Sequence, residues 1–140
     1  MCLSTITSRR TGTNLQETTV WKEFRISKLH ECPTCSSFVE VDDPKLWVLK
    51  NGQVRDDVWT DDKTGVWVKA EGRRLGYESW RSYPQGFHGY ADKAAYYVEN
   101  DHIIIPVKFR RIHTVGTQYN RKVLVAYEMM IPKNWRKYIR

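Results

Sequence analysis

His88 lies between glycines in the run Pro84-Gln85-Gly86-Phe87-His88-Gly89-Tyr90. An imidazole carried on permissive backbone beside a helix start is an address for acid–base chemistry or ligand capture. The same glycines are explained by a tight turn feeding a helix, which makes His88 a junction residue. Cys2 has a second chemistry: removal of the initiator Met exposes a thiol beside a free amine, the arrangement of an N-terminal nucleophile. Its structural alternative is a small apolar group under an N-terminal strand. In His30-Glu31-Cys32-Pro33-Thr34-Cys35 an imidazole precedes two thiols at the spacing of half a tetrahedral zinc site. His30, Cys32 and Cys35 are thus the metal candidates, and a turn with two ordinary thiols is the competing reading. No second pair of ligands accompanies them, so the expectation is no cofactor, with zinc as the exception to test.

Charge gives a broader signal. Lys and Arg outnumber Asp and Glu by 23 to 16, for a net +7. Residues 31–80 balance at −3, whereas residues 107–140 hold nine cations against Glu128 alone, a balance of +8. Concentrated positive charge attracts nucleic acid, an anionic small molecule or an acidic protein surface. Lys108, Arg110, Arg111, Arg121, Lys122, Arg136 and Lys137 are the anion-binding candidates. Arg73, Arg74, Tyr77 and Trp80 interleave cations with aromatics, a composition that stacks bases while pairing phosphates. A core aromatic set with a wet cationic edge explains those four equally well.

Several elements must position these groups. Thr18–Ile26 reads as a strand with Val20, Phe24 and Ile26 on one face and Trp21, Glu23 and Arg25 on the other. Leu46–Lys50 and Gln53–Arg55 flank Asn51-Gly52, whose tolerance of positive φ marks a type I′ hairpin. Val66-Trp67-Val68 is a further short strand, and Asp56, Asp57, Asp61 and Asp62 read as a solvated acidic turn, since the register of a calcium loop is absent. Ala91–Glu99 has a first-turn acid at Asp92 and a terminator at Asn100, which predicts the single helix. His102–Val115 alternates, with Ile103, Ile105, Val107 and Phe109 facing one way. Pro106 cannot donate to a ladder, so it implies an edge, a bulge or a strand start. Gly116–Asn120 is expected to turn the chain into Arg121–Ile131, which is apolar on both faces and so should be a central strand. The basic aromatic tail after Pro132 either docks or frays.

The chain of 140 residues, 41% apolar with six Trp, eight Tyr and four Phe, has material for one core. One domain spanning 1–140 is expected, with 1–17 and 133–140 mobile. Fold class reads as β-dominated α+β: a single twisted antiparallel sheet or partly open barrel with one short helix. No apolar run reaches membrane-spanning length and no signal-peptide core is present, so a membrane is excluded as partner and a cytoplasmic protein is expected. Three cysteines, an odd number, suit a reducing compartment.

Met1-Cys2-Leu3, Val20-Trp21-Lys22, Gly86-Phe87-His88 and the two late strands together resemble small uncharacterised phage-encoded proteins. The resemblance implies an accessory protein acting in the host cytoplasm, often an inhibitor of a host defence system or host enzyme, whose partner is a host protein or nucleoprotein complex, nucleic acid or a nucleotide. It carries no activity across, and binding is favoured over catalysis. An alternative analogy, resting on element order alone, is to an ADP-ribosyltransferase-like or other nucleotide-processing enzyme, with Lys22, His88, Tyr96 and Glu128 as its catalytic candidates. A zinc-stabilised binding module is the third reading.

Overall fold

The computed structural model describes residues 3–31, 38–49, 56–59, 63–70, 86–93 and 102–139. These form one antiparallel sheet of eight strands: β1 (Thr5–Arg9), β2 (Thr18–Glu31), β3 (Phe38–Leu49), β4 (Asp56–Trp59), β5 (Trp67–Lys69), β6 (Phe87–Tyr90), β7 (His102–Gln118) and β8 (Arg121–Met130). The spatial order is β1-β7-β8-β6-β2-β3-β4, with β5 added to β8. A further ladder between β2 and β7 joins two strands distant in that order, so the sheet closes partly on itself without becoming a barrel. The β-dominated class is as expected.

The alternation read along β2 and β7 holds because the ring has a dry interior. Val20 and Phe24 from β2 meet Ile103, Ile105, Val107 and Phe109 from β7, and every one of them is buried. Removing this much apolar surface from water is the main force that drives the chain to fold. Pro106 pairs with Trp21 on one side, while the ladder to β8 begins only at Lys108 opposite Met130. The proline therefore sits at a local edge, where its missing N–H costs nothing. β8 is central as expected, with β7, β6 and β5 as neighbours. Its simple alternation fails, however. Ala126 and Met129, three residues apart, share the main core, while Val123 and Val125 join Leu3 and Tyr90 in a second cluster. The change lies opposite an irregular stretch of β7, where Arg111 takes a left-handed backbone, φ 57°, and the register slips between Ile112 and Thr114.

Several expectations are corrected. Phe87–Tyr90 is a buried strand and not part of a turn: β6 pairs through its full length with Val123–Ala126. Gly89 is what lets it lie there, since an added Cβ would come within 2.9 Å of Val20 Cγ2 and 3.2 Å of Phe109 Cζ. No helix starts at Ala91: Ala91–Lys93 is non-helical, the Ala91 N–H donating to the Lys122 carbonyl, and 94–100 lie outside the described residues. The turn between β7 and β8 is Tyr119-Asn120, both at positive φ, so Gly116 belongs to the strand, beside Thr5 and Ile6 of β1. The β3–β4 hairpin exists, but Leu49 faces Asp56, where a two-residue Asn51-Gly52 turn would face it with Val54. Asp56 and Asp57 consequently sit in a ladder and not in an acidic turn, and 50–55 lie outside the described residues. Near the N-terminus, β1 is laddered to β7 and so is held by the sheet. At the C-terminus the tail docks: Trp135 begins a 3-10 helix (Trp135–Tyr138) and is buried in the main core.

Candidate functional site

Lys22 lies on the inward face of β2, on the side that carries Val20 and Phe24. β2 and β6 pair only at Trp21 and Tyr90 and then diverge. Lys22 fills the gap by donating Nζ–H to the His88 carbonyl at 2.8 Å, with the ammonium 5.8 Å from the Phe24 ring centre. Loss of hydration pulls its pKa from 10.5 down to about 8, against the raising effect of the Glu23 carboxylate. A lysine held this way gives up its proton closer to neutrality than a hydrated one does.

His88 is 5% exposed. Its Nδ1 lies 3.0 Å from the Gly86 carbonyl, which places the proton on that nitrogen and leaves Nε2 a buried acceptor with no hydrogen-bond partner among the described residues. Burial drives its pKa from 6.5 to about 3, neighbouring positive charge including Lys22 adds to the fall, and the Gly86 carbonyl opposes it. The imidazole is therefore neutral at physiological pH. His113, also buried, meets the Thr114 hydroxyl at 2.8 Å and stacks on Tyr127 at 4.1 Å between ring centres.

Glu128 does not join Lys22 and His88. On β8 it stands three residues beyond Val125, the partner of His88, roughly 10 Å along the strand. Arg110 engages it instead, Nε donating to Oε2 at 2.8 Å and Nη2 to Oε1 at 3.4 Å. That hydrogen bond, assisted by the charges of Arg110, Arg111 and Lys69, holds the Glu128 carboxyl below the ordinary range despite its burial. Tyr96, Arg73, Arg74, Tyr77, Trp80, Cys2, Cys32 and Cys35 lie outside the described residues; His30 pairs with Val39 in the β2–β3 ladder.

The seven expected anion-binding cations do not form one patch. Lys108 is exposed beside the end of β8, and Arg110 lies over the Trp67 ring at 4.1 Å. Arg136 and Lys137 follow in the docked tail, over Trp135 and Tyr138 respectively. Arg121 and Lys122 sit at the opposite end of the hairpin, roughly 30 Å away along the strand. Arg111 is structural: its Nε donates to the Gly12 carbonyl at 3.0 Å and its guanidinium lies over Tyr127. Sequence reading misses the company these cations keep. Lys133 is exposed at the Lys108 end, and at the hairpin end Arg121 lies over Tyr90, Lys93 over Trp21, and Tyr119 is 79% exposed. Lys133 is visible in the sequence within the C-terminal charge balance. The Trp21–Tyr90 juxtaposition has no sequence signal, because the two residues are distant along the chain.

Compared with protein-family models, curated proteins and solved structures, the chain matches none. Among the described residues no helix is long and apolar enough to cross a membrane.

Proposed function

We propose that the protein acts by binding, as a small accessory factor of phage type that engages an anionic partner in the host through its basic C-terminal surface. One observation carries the reading. Glu128, the only acidic side chain between 107 and 140, is 4% exposed and neutralised by Arg110, while Lys108, Lys122, Lys133 and Lys137 are exposed. At each end of the β7–β8 hairpin this third of the chain thus offers cations with no exposed side-chain carboxylate of its own, which favours phosphate contacts over a self-balanced surface. Lys108, Lys133, Arg136 and Lys137, gathered where β8 runs into the tail, are assigned the main contacts.

The reading is tested by filter binding of single- and double-stranded oligonucleotides in rising salt. Affinity should fall with a log–log slope of about −0.9 per duplex phosphate contact, and a Lys108→Ala/Lys133→Ala/Lys137→Ala variant should flatten it by about two to three such steps. Absence of binding at low salt removes nucleic acid as the partner and directs the search to acidic host proteins by pull-down.

A further inference from the structure

β1 and β2 run along the same edge of β7, against Thr114–Thr117 and His102–Phe109 respectively. They are two halves of one interrupted strand, and the interruption coincides with Arg111. Residues 11–17 leave the ladder there as a loop that β7 itself pins. The Arg111 N–H donates to the Asn14 carbonyl at 2.8 Å, its Nε to the Gly12 carbonyl at 3.0 Å, and the Arg10 N–H to the His113 carbonyl at 2.8 Å. Gly12 is buried at φ 74°, so close to Tyr127 that an added Cβ would lie 2.5 Å from Cε2. A non-glycine residue at positive φ in a strand, as at Arg111, is a strained arrangement, and such strain gathers at ligand clamps and other sites of function.

The pinned loop borders a half-open cleft of about 210 Å³ lined by Arg10, Thr11, Thr13, Asn14, Gln16 and Thr18, with Ile112 as its apolar wall. At ~30 Å³ per water, that is room for about seven waters. The lining brings together a guanidinium, three hydroxyls and two carboxamides, and no carboxylate. Such a set supplies more donors than a two-oxygen carboxylate can accept, and it suits a tetrahedral oxyanion that a guanidinium meets in bidentate fashion. We infer that this cavity is a binding site for a small phosphomonoester, with Arg10 and the threonine hydroxyls on the phosphate and Ile112 against its organic group. The site lies on the β1–β2 connection, where Thr18 stands opposite Phe109, one residue from Lys108; the Lys133 and Lys137 control below separates it from the surface assigned above.

The experiment is an NMR titration of the full chain with inorganic phosphate, adenosine monophosphate and adenosine, following the Gly12 and Thr13 amides. Saturable shifts are expected with phosphate and, more tightly, with the monophosphate. Arg10→Ala should weaken binding tenfold or more, and Thr18→Val several-fold. Arg10 is exposed and bonds to β7 through its backbone N–H, so its substitution leaves the fold intact. A Lys133→Ala/Lys137→Ala control should bind as the wild type. The inference is overturned by unsaturable shifts, by adenosine binding as well as its monophosphate, or by equal losses in the Arg10 and Lys133/Lys137 variants.

Discussion

Lys22 and His88, joined through the His88 carbonyl, both have their ionisation shifted by burial. His88 titrates at about 3 in the fold and near 6.5 when unfolded, so between these values the unfolded chain holds the extra proton. Stability should therefore be full above pH 6.5 and fall as pH drops towards 3, by at most about 4–5 kcal/mol at 1.36 kcal/mol per pKa unit. Urea midpoints measured across this range for wild type and His88→Asn should converge at low pH; parallel curves would show that His88 is not the group responsible. Lys22 falls in the same direction but in a different window. With a folded pKa of about 8 against 10.5, its penalty is complete at neutral pH and is relieved only between pH 8 and 10.5. Lys22→Met should accordingly raise stability by about 1–2 kcal/mol, the desolvation cost exceeding the one hydrogen bond lost. A loss greater than about 1 kcal/mol would instead mean that the bond to the His88 carbonyl outweighs the cost of burying the ammonium. A charged group kept against its own stability cost is a candidate for function.

Among the elements, β7 decides the architecture through one residue. Upstream of Arg111 its apolar side chains fill the ring and it pairs with β2; downstream it pairs with β1. The left-handed conformation at Arg111 excludes β-branched side chains, because their second Cβ substituent collides with the backbone there. Arg111→Val should cost about 2–3 kcal/mol, whereas Arg111→Gly should cost less, as the backbone gain offsets part of the lost Gly12 contact. Equal thermal midpoints for the two variants would mean that the kink is not strained. The position announces itself poorly in sequence: an Arg-Arg pair within an alternating run reads as an ordinary solvent face. β6 is hidden in the sequence for a related reason. Two glycines around a histidine signal a turn locally, yet the glycine at 89 answers to Val20 and Phe109, distant in sequence.

For the molecule as a whole, positive charge is distributed over two ends, with Glu128 withdrawn from the surface. Glu128→Gln removes the partner of Arg110 and should cost about 1–2 kcal/mol, while adding one unit of positive charge. Affinity for an anionic oligonucleotide should then rise a few-fold at low salt and return to the wild-type value near 1 M, where screening acts within about 3 Å. A rise that persists at high salt would point to an altered shape and not to charge.

Composition and period alone determined that this chain is β-rich, that Ile103, Ile105, Val107 and Phe109 share an inward face, that β8 is central and that the last third is basic. These properties are written in neighbouring residues, because strand periodicity and net charge are local sums. Tertiary structure decided the rest: that β2 returns to β7 and partly closes the ring, that Gly86–Tyr90 is core, that Glu128 is spent on Arg110, and that residues 11–17 border a half-open cleft. Each depends on which distant segment fills the space beside a residue, and no window of sequence contains both partners.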